Sequence, residues 1–112
     1  MSSSPSHDAL MLAFSAPAPG AAEEEFNQWY DHTHIPQIMK SAPGIVTATR
    51  YRVSPAQPPD ESVLPYLTIY EINGDPASVL RNLAQARSGL TMSPALDMTG
   101  RPPLSWVYDR IG

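Results

Sequence analysis

The order of secondary-structure signals predicts an α+β domain of the split βαβ, ferredoxin-like plan. Strand, helix, strand, strand, helix and strand follow one another, which gives a four-stranded antiparallel sheet with two helices on one face. Three observations carry this. Short apolar or β-branched runs stand at Ala9–Phe14, Ile45–Val53, Tyr66–Ile72 and Leu104–Ile111. Two stretches of helical period separate the first run from the second and the third from the fourth. Every strand has apolar residues on both alternations, so the face without helices also asks for cover.

Ala9 to Phe14 reads Ala-Leu-Met-Leu-Ala-Phe, too short for a helix and ended by Pro17 and Pro19. The chain restarts with Glu23-Glu24-Glu25, a solvated acidic first turn that suits the positive end of a helix dipole. Ala22, Phe26, Trp29, Tyr30 and Thr33 share one face at helical spacing, which predicts a helix over 21–34. Pro36 lacks an N–H and its ring opposes the carbonyl of His32, so the helix is expected to break or kink at His34–Ile35. A further turn runs through Ile38 and Met39 to Pro43-Gly44.

Ile45–Val53 is β-branched and aromatic. Ser54 to Pro65 holds four prolines and two acids and reads as a loop. Asn73-Gly74 turns the chain after the Tyr66–Ile72 strand. Asp75 as N-cap and Pro76 at the first helical position start the second helix. Val79, Leu80, Leu83 and Ala86 or Arg87 make its buried stripe, and Gly89 suits its end. Leu90–Pro103 is long for a connection and is expected to hold a short helix or form a movable border of a cleft. Residues 1–7 are expected to be a disordered tail before one domain over 8–112.

Composition narrows the functions. The 112 residues carry seven Lys and Arg against eleven Asp and Glu, a net charge of −4. No basic stripe is available for nucleic acid or for an anionic membrane. Cysteine is absent, which removes disulfides, thiolate nucleophiles and thiolate metal sites. No apolar run approaches a membrane span and the start lacks a signal-peptide pattern, so a cytoplasmic protein is the expectation. No Gly-rich phosphate loop or Gly-x-Ser-x-Gly occurs, and no cofactor is expected. The doubly apolar strands call for a second copy of the chain over the open face, a homodimer.

The segment Phe26 to Pro36 gathers two of the three histidines, an aspartate and two large aromatics beside Phe26. At 100° per residue from Phe26, Tyr30 falls at about 40°, His34 at about 80°, Asp31 at about 140° and His32 at about 240°. Tyr30, Asp31 and His34 therefore form one patch, with His32 opposite and facing water. A carboxylate beside imidazole fixes its tautomer and raises its basicity, which general acid–base chemistry requires. Two plainer readings stay open. The aromatics are ordinary core residues, and His34 is a cation at a helix C-terminus. His32 and His34 point too far apart to share an ion, so no metal is expected.

Trp29-Tyr30-Asp31-x-x-His34-Ile35-Pro36, followed by Pro43-Gly44-Ile45 and Ala48-x-Arg50-Tyr51, resembles the dimeric α+β barrel superfamily, and within it the EthD-like group. Tyr66–Ile72 is similar to that group's third strand, and the resemblance covers about residues 8–111. It implies a homodimer whose two sheets form a barrel, with one small-molecule cleft per protomer between sheet and helices. Relatives include polyketide cyclases, cofactor-free monooxygenases, muconolactone-type isomerases and dehydratases. His34 matches the motif's histidine; His32 sits at a variable position.

The resulting expectation is a cofactor-independent enzyme acting on a hydrophobic, oxygenated small molecule. His34 would be the acid/base, Asp31 its orienter and Tyr30 a hydrogen-bond donor to a developing enolate or phenolate. Trp29, Arg50, Tyr66, Trp106 and Tyr108 are the candidate substrate-binding residues. A non-catalytic dimeric binding or accessory protein is the alternative.

Overall fold

A computed structural model describes residues 8–112; the tail expected over 1–7 lies outside the described residues. Strands β1 (Ala9–Ser15), β2 (Ile45–Arg52), β3 (Tyr66–Ile72) and β4 (Leu104–Asp109) form one antiparallel sheet in the order β2-β3-β1-β4. Helices α1 (Glu23–Trp29), α2 (Ile35–Ser41) and α3 (Pro76–Ala86) pack on one face. This is the ferredoxin-like plan the sequence predicts.

The register assigns the two faces. Ala9, Met11, Ala13 and Ser15 of β1 and Tyr66, Thr68, Tyr70 and Ile72 of β3 point toward the helices, where most of them are buried. Leu10, Leu12 and Phe14 point the other way, opposite Tyr108, Trp106 and Leu104. On that second face Trp106 is 59% exposed and Tyr108 55%. A contiguous apolar face of this kind marks an interaction surface.

The disturbance expected at His34–Ile35 takes the form of a change of helix type, not an end to the helix. Residues Tyr30–His34 form a single π turn, in which the Ile35 N–H donates to the Tyr30 carbonyl, and α2 continues from it with Pro36 in its first turn. The wider i→i+5 turn lets a fresh helical segment begin at Ile35, and a proline in a first turn gives up an N–H that needs no partner there. The Gly44 carbonyl accepts from the Asn73 N–H at 2.9 Å, and a Cβ on Gly44 would lie 2.8 Å from a Val79 methyl. Only glycine lets β2 start this close to α3.

At α3 the Asp75 carboxylate accepts from the Ala77 N–H at 3.0 Å, the expected N-cap. Leu80, placed in the buried stripe by periodicity, is instead half exposed, because α3 stands off the sheet there and leaves a cleft. Gly89 ends a 3-10 turn, Arg87–Gly89, rather than capping α3 directly.

Leu90–Pro103 contains no helix and is tied to its surroundings. Trp29 Nε1 donates to the Thr91 carbonyl at 2.9 Å, and Gln37 and Thr91 exchange two hydrogen bonds. Ala18 N–H donates to Ala95 O at 2.7 Å and Asp97 N–H to Ala16 O at 3.0 Å. The buried Asp97 carboxylate accepts from the N–H groups of Thr99, Gly100 and Arg101, which hold it below the usual carboxylate range.

Candidate functional site

Two hydrophobic clusters meet at the π turn. One joins the sheet centre to α2 and α3 through Met11, Ile38, Tyr70, Ile72 and Val79. The other joins Phe26, Trp29, Tyr30 and Tyr66 to Ala95 and Leu96. Between them lies a cleft of about 470 Å³, a size suited to a small organic molecule. Its floor is Met11, Ala13 and Tyr70; Tyr30, His34 and Ile38 form one wall and Leu80, Leu83 and Arg87 another. Leu90, Met92, Leu96 and Met98 close its rim, so the Leu90–Pro103 segment borders the cleft. Two other hollows are larger, one on the proline loop and one beside His32, but neither reaches both clusters.

His34 lines the cleft. Its ring stacks on Trp29, with centroids 4.6 Å apart, and meets Tyr30 edge-on at 5.0 Å. Its Nδ1 is buried and, among the described residues, has no hydrogen-bond partner. Burial disfavours the imidazolium and lowers the His34 pKa to about 4. At neutral pH the ring is therefore uncharged and offers one donor and one acceptor. His32 is exposed beside the shallow groove at α1, as its opposite helical position predicts.

Asp31 does not orient His34, contrary to the sequence reading. It forms an ion pair with Arg50 at 3.2 Å, and no carboxylate raises the histidine's basicity. The wheel angles assume regular α geometry and consider one helix only; the partner that captures Asp31 comes from β2.

Arg50 faces the helices rather than the cleft. Its other guanidinium nitrogen donates to Asn27 Oδ1 at 2.9 Å, and its charge lies over the rings of Tyr30, Tyr66 and Phe26 at 4.7, 5.4 and 5.7 Å. The Tyr66 hydroxyl donates to Glu23 at 2.9 Å. Tyr30 belongs to both regions: it lines the cleft, while its hydroxyl is hydrogen-bonded to Ser15. Burial raises its pKa, partly offset by that bond and by Arg50.

Of the five candidate substrate-binding residues, none is among those that line the cleft. Trp29 backs His34 from behind, Arg50 and Tyr66 form the separate cluster, and Trp106 and Tyr108 lie on the opposite face of the sheet. Among the residues that do line it, Met11, Leu83 and Arg87 escaped sequence reasoning as cleft residues. Tyr70 shares the strand parity of the buried Ile72, which turns it toward the helices and the cleft. Burial raises the Tyr70 hydroxyl's pKa strongly, so it stays protonated. Among the described residues no group of three His, Asp or Glu side chains is placed to share a metal ion. No helix among them is long and apolar enough to cross a membrane.

Comparison with solved structures fixes the fold. An ethyl tert-butyl ether D (EthD) family protein from Bacillus halodurans C-125 superposes with a TM-score of 0.57 over 93% of this chain and 99% of its own, at 16% identity. The chain has the ferredoxin-like fold of that EthD family protein. A dimeric ferredoxin-like protein of unknown function from Thermobifida fusca YX matches with a TM-score of 0.50 over 93% of this chain and 92% of its own, at 7% identity. No family model and no curated protein matches the chain.

Proposed function

We propose that the chain is a homodimeric, cofactor-independent enzyme that binds a hydrophobic, oxygenated small molecule in the His34 cleft and moves a proton there. The single observation that supports this most is His34 itself: an uncharged imidazole on an apolar cleft with a nitrogen that no group among the described residues engages. An unsatisfied buried nitrogen costs about 1–3 kcal/mol and persists where a bound group answers it. Neutral imidazole accepts a proton from an enol, phenol or activated C–H, and Tyr70 and Tyr30, held protonated by burial, are donors for the oxygen that gains charge. Cyclisation, isomerisation and elimination all fit this proton transfer, and cofactor-free oxygenation uses the same base.

The dimer reading is supported by the exposed apolar face carrying Leu12, Phe14, Trp106 and Tyr108, and by the dimeric assembly of the Thermobifida neighbour. Sedimentation equilibrium at micromolar concentration should return twice the chain mass. Monomer would remove this part of the reading.

A second reading has its own support. His34 has lost the carboxylate partner that would tune it, and a pKa near 4 makes a weak base, which suits a hydrogen-bonding ligand contact in a non-catalytic binding protein. Turnover of a panel of phenols, lactones and enones by the wild type and by His34→Ala separates the two. An enzyme loses at least about 100-fold in rate with the imidazole. A binding protein turns nothing over, and its variant loses only the several-fold in ligand affinity that one hydrogen bond contributes.

A further inference from the structure

We infer that the cleft selects an apolar molecule carrying one carboxylate, with Arg87 as the residue that receives it. This rests on the reading above that the cleft holds a small molecule. The chain is acidic overall, yet among the described residues no Asp or Glu lines the cleft, and Arg87 is the one charged side chain there at neutral pH. Helix α3 contributes no acid either, since Pro76–Ala86 contains none. The Asp97 carboxylate of the bordering segment is buried and occupied by three backbone N–H groups.

Arg87 is also unlike the other arginines near helices. Arg50 is held by Asp31 and Asn27, and Arg81 donates to Ser78. Among the described residues the Arg87 guanidinium has no acceptor, although it stands beside a wall of Leu83, Leu90 and Met92. Arg87 is an exposed residue of the lining, and its guanidinium matches a carboxylate in a two-point geometry that gives preference even where water has access. A single cation facing otherwise apolar lining selects a monoanion with an aryl or alkyl body. Arg87 also follows the C-terminus of α3, where a cation suits the helix dipole. That role alone would change stability and leave ligand preference untouched.

The experiment uses two isosteric probes, 2-naphthoate and 2-naphthamide, titrated at pH 7.5 and low salt into the full chain with 13C-labelled methionine methyls. Met11, Met92 and Met98 report the cleft, and Met39, outside its lining, is the control. Both probes should shift the three cleft methyls, with the carboxylate bound about five- to tenfold more tightly. Arg87→Gln should bring naphthoate to the affinity of naphthamide and leave naphthamide unchanged. Added salt should narrow the wild-type preference. Equal affinities in the wild type, or a preference that survives Arg87→Gln, overturn the carboxylate inference while the cleft reading stands. If neither probe moves the cleft methyls, the small-molecule reading itself fails and takes this inference with it.

Discussion

Arg50 and His34 both meet the nine helical residues from Phe26 to His34 and have opposite fates. Arg50 is held on both sides: Asp31 and Asn27 each accept from one of its terminal nitrogens and three aromatic rings pack on its charge. His34 is stacked on Trp29 and otherwise left with a buried, unpaired nitrogen. A satisfied buried charge organises structure; an unsatisfied buried base is a place for something from outside. Tyr30 sits between the two, its ring under Arg50 and also on the cleft. The motif Trp29 to Pro36 therefore does two jobs, and only half of it faces the cleft.

The largest expected effect concerns acid. Burial lowers the His34 pKa to about 4 in the folded chain, against 6.5 for an unperturbed imidazole. Its folded pKa is depressed, so between these values the unfolded chain binds more protons and stability rises with pH. The contribution is fully present above pH 6.5, is lost as pH falls through about 4, and amounts to about 3 kcal/mol. Urea unfolding at pH 7 and pH 4.5 should show this loss in the wild type, and His34→Leu should flatten it across that window. A slope unchanged by His34→Leu would mean that His34 is not buried uncharged. The Asp75 and Asp97 carboxylates, held low by backbone N–H groups, act in a separate window at more acid pH.

Arg50→Ala comes next, with an expected loss of about 2–3 kcal/mol at pH 7, because it strips packing from three rings and leaves Asn27 and Asp31 without their donor. Chemical denaturation measures it. An effect below about 0.5 kcal/mol would show that the cluster is decorative. His34→Leu at pH 7 goes the other way: it removes an unpaired nitrogen at similar volume and should be neutral or stabilising by up to about 1 kcal/mol, while abolishing turnover. A large destabilisation would make His34 a structural residue and weaken the functional reading.

The strand order was legible because each element is signalled locally: alternation in Tyr66–Ile72, the cap and proline at Asp75-Pro76, the glycine between Pro43 and Ile45. The position of His34 on a cleft was legible for the same reason, since it follows from helical angle against Phe26. What escaped was set by contacts across the fold. Asp31 pairs with a residue 19 positions away, and no wheel contains β2. Trp106 and Tyr108 sat on a strand with apolar residues on both alternations, so parity could not say which face was inside. Size suggested the cleft for the aromatics, but the cleft face of β4 carries the smaller Ser105 and the large rings line the open face. Pro36 marked the place where the regular helix is interrupted, but local reasoning did not show that a widened turn would carry the chain through it.

The smallest effect is the one that tests the comparison most directly. If Asp31 belongs to Arg50 and not to His34, a double-mutant cycle between Asp31→Ala and Arg50→Ala should show coupling of about 0.2–1 kcal/mol. It stays small because the Asp31 side chain is 53% exposed and water screens the pair. The parallel cycle between Asp31→Ala and His34→Ala should be additive within about 0.3–0.5 kcal/mol. Raising salt should erode the first coupling and leave the second at zero. The same logic extends to the cleft: Asp31→Asn should leave the His34 titration and any ligand affinity unchanged. Were Asp31 and His34 to couple more strongly than Asp31 and Arg50, the carboxylate would swing to the imidazole in solution. The helix would then carry a tuned acid/base pair after all, and the catalytic reading would gain over the binding one.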